Sequence, residues 1–180
     1  MFREKIIIDH VRGKDVLDIG SVGQTEAYNL WIVLKQHAGT LTGIDIEPSV
    51  TPGVVHGNME TYQFNRQFDV VMAGDVIEHV SNPGLFLNNI RKHLREHGVL
   101  AVTTPNAKWP TVALKPNPTH VLWHDRYTLT CLLRRCGFEI SYFSYYFGNK
   151  KNYPWILRPL VWRQGLLLVA RKNNLRSSQL

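Results

Sequence analysis

The sequence predicts an α/β fold: a doubly wound, mostly parallel sheet with an antiparallel strand near the C-terminus. Three observations predict it. Short apolar runs alternate with segments of helical period, as in strands linked by crossover helices. Glycines and acids follow the first two runs, where an open parallel sheet places its ligand crevice. The last two strand-like runs, 138–147 and 164–170, have no helical period between them, and strands joined without a crossover helix pair antiparallel more easily.

The elements follow in order. Residues 1–14 read as an N-terminal extension. Charged residues flank the run Ile6, Ile7 and Ile8 on both sides, which excludes a secretory signal. Val16, Leu17 and Ile19 form the first strand, ending at Gly20. Ala27, Leu30, Trp31, Leu34 and Ala38 then keep the spacing of an amphipathic helix, closed by Gly39. Residues 41–46 are the second strand. The connector 47–52 is too short and proline-rich for a crossover helix, so a short third strand, 53–56, follows directly. The fourth strand is 68–73. Asn82 caps and Pro83 opens a helix with Phe86, Leu87, Ile90 and Leu94 on its apolar face, stopped by Gly98. Residues 99–104 are the fifth strand, and 105–124 are a proline-rich loop. Asp125 caps the next helix, which turns Leu129, Leu132, Leu133 and Cys136 inward and ends at Gly137. Residues 171–180 read as a frayed polar tail.

Composition narrows the function classes. With 180 residues, 44% of them apolar, the chain is expected to form one domain, 1–180, with a real core. No apolar run is long enough for a membrane helix. The two cysteines, Cys131 and Cys136, suggest neither a disulfide framework nor a metal cage, so a cytoplasmic location is expected. Charge is divided unevenly. Residues 1–100 carry 9 Lys/Arg against 12 Asp/Glu, and residues 101–180 carry 12 against 2. The basic half reads either as the footprint of an anionic partner (a sugar phosphate, nucleic acid or anionic membrane) or as a solvated basic face. The aromatic cluster Tyr142, Phe143, Tyr145, Tyr146, Phe147, Tyr153 and Trp155, with Lys150 and Lys151 among it, reads as an acceptor or nucleic-acid platform, or as strand packing.

The chemistry-bearing residues lie at strand ends. Gly20, Ser21, Val22 and Gly23 follow strand one, where glycine lets a ligand approach the backbone and the next helix offers free amides. Asp45 closes strand two about 25 residues on, where a carboxylate accepts the hydroxyls of a ribose. Together they predict a nucleoside-binding sheet; a nicotinamide-type dinucleotide domain and a purely structural turn are the alternatives. Asp75, Glu78 and His79 are spaced to share one helical face, and His120 and His124 follow strand five. Three readings stand side by side: Asp75 as a helix cap in a capping box with Glu78, His79 or His120 as a general base, and a divalent-metal site of Asp75, Glu78, His79 and His120.

The stretches VLDIGSVGQ (16–24), TGIDIEP (42–48), HGNME (56–60), FDVVMAGDVIEHVSNPGLFL (68–87), GVLAVTTPN (98–106) and HVLWHDRYTLTCLLRRCGFEI (120–140) resemble the class I S-adenosylmethionine-dependent methyltransferases. The likeness is to the subgroup that includes quinone O-methyltransferases and methyltransferases of glycan biosynthesis. It implies a Rossmann-like domain with S-adenosylmethionine as cofactor. By position it assigns Asp18, Gly20, Ser21 and Gly23 to the methionine and ribose portions. Asp45 and Ile46 fall at the ribose, Asn58 and Met59 beside the adenine, and Asp75 near the sulfonium and the acceptor. Glu78, His79 and His120 are the catalytic candidates. Val22 and Gln24 depart from the usual run, which has glycine at those places. The expected reaction is O-methylation of a small-molecule or glycan-type acceptor, which could be anionic. The rival readings are an RNA methyltransferase and a catalytically degenerate, cofactor-binding partner subunit.

Overall fold

The computed structural model of the chain describes residues 2–22, 29–110, 117–146 and 164–173. Its elements are α1 (Phe2–Val11), β1 (Asp15–Ile19), α2 (Leu30–His37), β2 (Thr40–Asp45), β3 (Val54–His56), β4 (Phe68–Gly74), α3 (Pro83–His93), β5 (Leu94–Pro105), α4 (Arg126–Arg135), β6 (Phe138–Tyr146) and β7 (Gly165–Lys172). The strands form one sheet in the order β3-β2-β1-β4-β5-β7-β6. Strands β1 to β5 pair in parallel. β7 runs antiparallel to β5 and β6 on either side of it, as the sequence leads one to expect. From β1 the chain winds outward to β2 and β3, then returns to β4 on the other side. That reversal opens a crevice beyond the C-terminal ends of β1 and β4.

Each face of the sheet carries its own core. Ile7 and Val11 of α1 and Leu30 and Leu34 of α2 pack over Val16, Val70, Met72, Ala101 and Val169. Phe86, Leu87 and Ile90 of α3 and Leu129 and Leu133 of α4 pack over Leu17, Val71, Val102 and Leu168. Burial on both faces explains why the strands read as nearly unbroken apolar runs. Helix starts follow the sequence. Asn82 accepts a hydrogen bond from the Leu85 amide with Pro83 in the first turn, and Asp125 forms a reciprocal capping box with Thr128. No helix intervenes between β2 and β3.

Four features depart from the sequence expectation. The stretch read as an extension is the helix α1, built into the core by Ile7 and Val11. The helix expected to reach Gly98 ends at His93, because Leu94 pairs with Phe68 and enters β5. Residues 75–79 form a turn rather than a helix start. The strand β7 carries through Arg171 and Lys172, which the sequence assigned to the tail. Gly23, Gln24 and Ala27, the aromatic residues Phe147, Tyr153 and Trp155, and the tail 174–180 lie outside the described residues. Among the described residues no helix is long and apolar enough to cross a membrane.

Candidate functional site

The turn after β1 is shaped by Gly20. Its φ of +79° is one that side chains rarely adopt, and a Cβ there would lie 2.5 Å from Val76 Cγ2. The glycine therefore lets the β1 turn and the β4 turn meet. Ser21 Oγ donates to the Asp18 carbonyl at 2.9 Å. The Val22 amide donates to Asp45 Oδ2 at 2.8 Å and the Glu47 amide to Oδ1 at 2.9 Å. These bonds fix the Asp45 carboxylate at the end of β2, with one lone pair on each oxygen left for a ligand hydroxyl.

Asp18, two residues before that glycine, is fully buried. Neither carboxylate oxygen has a hydrogen-bond partner among the described residues. Burial pushes its carboxyl up to about 8, and the Asp45 charge pushes the same way. Leaving a buried polar group unpaired costs roughly 1–3 kcal/mol. A cationic or donor group of a ligand would remove that cost.

The structure separates Asn58 from Met59. Asn58 is exposed, and its Oδ1 accepts from the Glu60 amide at 2.8 Å. Met59 is buried in the core with Ile19 and Ile44. Ile46, by contrast, is 65% exposed beside Asp45 and offers an apolar surface there.

Asp75 follows β4 with φ +54°, the one non-glycine residue with positive φ among those described. Its amide donates to the Thr103 carbonyl at 3.0 Å. Its Oδ1 accepts from Thr103 Oγ1 at 3.1 Å and from the Tyr146 hydroxyl at 2.8 Å. Its Oδ2 lies 3.7 Å from an Arg3 guanidinium nitrogen. The expected capping box with Glu78 is therefore absent: the carboxylate is held by β5 and β6 instead.

The turn nonetheless gathers Glu78, His79 and His120. Glu78 is 1% exposed. Thr104 Oγ1 donates to its Oε2 at 2.9 Å, while Oε1 has no partner among the described residues. The Val121 and Leu122 amides donate to the Glu78 carbonyl at 2.9 and 3.1 Å, which brings the loop carrying His120 onto the turn. His79 Nδ1 lies 3.0 Å from the Thr119 carbonyl. Its donating tautomer there leaves the Nε2 lone pair free. The His79 and His120 rings meet edge-on, 4.7 Å apart, and Trp123 backs His120 at 5.1 Å. One ligand atom from each of Glu78, His79 and His120 falls within 4.8 Å of the others; Asp75 stands outside that group. Burial, then the Asp75 charge, pushes Glu78 up to about 8. Burial and the neighbouring His79 lower His120. His124 is also buried, and burial lowers its pKa; neither ring nitrogen has a partner among the described residues.

Arg3, Thr103, Thr104 and Trp123 were not singled out from the sequence. Two threonines closing an otherwise apolar strand were a usable signal; nothing local pointed to Arg3. Away from this crevice, a groove of about 820 Å³ runs between α4 and β6, lined by Lys108, Arg126 and Arg134 with Trp109, Tyr127 and Phe143 among others.

Comparison with known proteins bears on the family and the fold. The family described as "Methyltransferase domain" matches residues 4–142. The chain is similar to the ubiquinone biosynthesis O-methyltransferase of Rickettsia canadensis, with 27% identity over 101 residues, 51% of this chain and 43% of that one. The same enzyme of Nitrobacter winogradskyi is 36% identical over 56 residues, 31% of this chain and 22% of its own. The matches thus span less than half the length of either relative. Among solved structures, an S-adenosylmethionine-dependent methyltransferase of Mesorhizobium loti superposes with TM-score 0.68 at 14% identity, covering 94% of this chain and 98% of that one. The 1,6-didemethyltoxoflavin-N1-methyltransferase of Burkholderia thailandensis, solved with S-adenosylhomocysteine bound, gives 0.68 at 19%, covering 96% and 77%. At these identities the structural likeness concerns the fold.

Proposed function

This chain belongs to the class I S-adenosylmethionine-dependent methyltransferases, and on that premise we propose that it methylates a hydroxyl oxygen of a small acceptor, phenolic in the first instance. Asp45 would hold the ribose of the cofactor, the turn at Gly20 and Ser21 would receive its amino-acid end, and Asp18, buried beside that turn, would pair with its ammonium. S-adenosylmethionine, when bound, would supply an electrophilic methyl to the acceptor oxygen, with S-adenosylhomocysteine as the leaving group. The cofactor is already activated, so the protein has to align the oxygen and remove its proton.

The observation that carries this reading is the Glu78, His79 and His120 group beside the crevice. A carboxylate with an unpartnered buried oxygen and two imidazoles fit a divalent cation of the Mn²⁺ or Zn²⁺ kind. Such an ion, when bound, would lower the pKa of an acceptor hydroxyl. The residues act in their own right as well. Burial, then the neighbouring His79, pushes the His120 imidazole below its ordinary range, which favours the neutral form able to accept the acceptor's proton. The ubiquinone O-methyltransferase relatives supply the phenolic class of acceptor.

The basic, aromatic groove favours a second reading, an RNA acceptor: Lys108, paired with Asp125 at 2.7 Å, Arg126 and Arg134 line it with Trp109, Tyr127 and Phe143. One assay separates the two. Methyl transfer from labelled S-adenosylmethionine is measured to 3,4-dihydroxybenzoate and to a short RNA, with added divalent ion and with chelator. The primary reading expects a monomethylated catechol, with kcat falling at least tenfold in Glu78→Gln. Labelled RNA with untouched catechol replaces it by the second reading. Label in neither, with cofactor binding intact, points to a partner subunit.

A further inference from the structure

We propose that Arg3, on the N-terminal helix, and Tyr146, at the end of β6, are positioning residues that aim the Asp75 carboxylate at the reacting sulfonium. The proposal rests on the cofactor reading above and adds two residues to it.

Several independent observations converge on Asp75. Its left-handed φ of +54° is uncommon outside glycine, and such a conformation persists only where the surroundings over-determine it. Four groups from three other elements do so. The Thr103 carbonyl accepts from the Asp75 amide, and the Thr103 hydroxyl donates to Oδ1. The Tyr146 hydroxyl donates to Oδ1 at 2.8 Å. The Arg3 guanidinium approaches Oδ2 at 3.7 Å and stacks on the Tyr146 ring, 4.3 Å from its centroid. With Oδ1 bonded twice, the carboxylate has little freedom to rotate, and its side chain stays 42% exposed.

Tyr146 reaches Asp75 from the far edge of the sheet, across β7 and β5. Gly165, its register partner at the start of β7, makes that crossing possible: a Cβ there would overlap the Tyr146 ring. Arg3 comes from the opposite direction, on a helix packed over β1 and β4, and its side chain is 9% exposed. Burying a guanidinium is costly unless it is paired, and the Asp75 carboxylate and the Tyr146 ring are among the groups that Arg3 meets. Val76, next to Asp75, packs on the Gly20 turn, so the assembly abuts the place where the amino-acid end of the cofactor lies.

S-adenosylmethionine and S-adenosylhomocysteine differ at the sulfur: one bears a methyl and a positive charge, the other neither. The ratio of their dissociation constants therefore reads the groups that face the sulfonium. Both ligands are titrated calorimetrically into the full chain and into Tyr146→Phe, Arg3→Met and Arg3→Lys. We expect the preference for S-adenosylmethionine to fall at least threefold in Tyr146→Phe and Arg3→Met and to recover partly in Arg3→Lys. S-adenosylhomocysteine affinity should stay within twofold. A bystander arginine would do the opposite, because removing a cation near the sulfonium strengthens S-adenosylmethionine binding. An unchanged or raised preference in both variants overturns the proposal. Failure of the wild-type chain to bind either ligand overturns the cofactor reading instead. Should Tyr146→Phe unfold, Thr103→Val removes the other side-chain hydrogen bond to Oδ1 and is held to the same threshold.

Discussion

The two ends of the parallel sheet treat charge in opposite ways. At the N-terminal end, Asp15 of β1 is paired with Arg66 and with Arg95, the latter at 3.1 Å. It also accepts from Thr40 Oγ1 of β2 at 2.5 Å. Arg95 turns its other nitrogen to Asp69 of β4 at 2.7 Å, and Asp69 accepts the Asp15 amide. The network is closed. At the C-terminal end, both oxygens of Asp18, one of Glu78 and the ring nitrogens of His124 have no partner among the described residues. The first end stabilises a folded chain. The second holds buried polar groups that the other described residues leave unpaired, and native proteins keep few such groups without cause.

Breaking the comparison at its strongest point should have the largest effect. Asp45→Ala removes the acceptor of two backbone amides and of the ribose, and is expected to weaken S-adenosylhomocysteine binding by about a hundredfold or more, since hydrogen bonds to a charge contribute roughly 1.5–3 kcal/mol each; calorimetry checks it. Next comes pH. Asp18 and Glu78 are raised to about 8 in the folded chain, so between about pH 5 and 8 the native state binds more protons than the unfolded one. The ligand-free protein should therefore lose stability as pH rises through that window. Glu78→Gln should flatten the loss, raising Tm at pH 8 by a few degrees while lowering activity; thermal scans at pH 5, 6.5 and 8 read this. At the closed end, Asp15→Asn should lower Tm by a few degrees and leave S-adenosylhomocysteine affinity within twofold. The smallest effect is expected for Asp9→Asn, whose exposed pair with Lys5 should matter to neither Tm nor binding.

The sequence carried the frame of this molecule because local chemistry specifies it. Asn82 with Pro83, and Asp125 with Thr128, start their helices by bonds to their own neighbours. The apolar strand runs needed only covering on both faces. Legibility failed where distant groups compete with local ones. Asp75 and Glu78 have capping-box spacing, yet Thr103 and Tyr146, 28 and 71 residues away, take the Asp75 carboxylate and the helix does not start. Leu94 has helical phase with Ile90, but Phe68 draws it into the sheet. In α1, three successive isoleucines blur the stripe; the Ile7 and Val11 pair, four apart, was the available signal. Of the candidate site, Gly20 and Asp45 lie at strand ends, and Glu78, His79 and His120 come together only because the loop after β5 folds back onto the turn after β4. Met59, which the resemblance put beside the adenine, is buried in the core.

The central proposal is that Asp18, buried and without a hydrogen-bond partner among the described residues, gives up its proton to pair with the ammonium of the cofactor. Calorimetry of S-adenosylhomocysteine binding at pH 7, repeated in buffers of different ionisation enthalpy, tests it most directly. The account predicts release of about one proton on binding, since a carboxyl raised to about 8 ionises when a cation arrives, and a loss of that release together with at least tenfold in affinity for Asp18→Asn. Binding without proton release, or Asp18→Asn binding as tightly as the wild type, would contradict it.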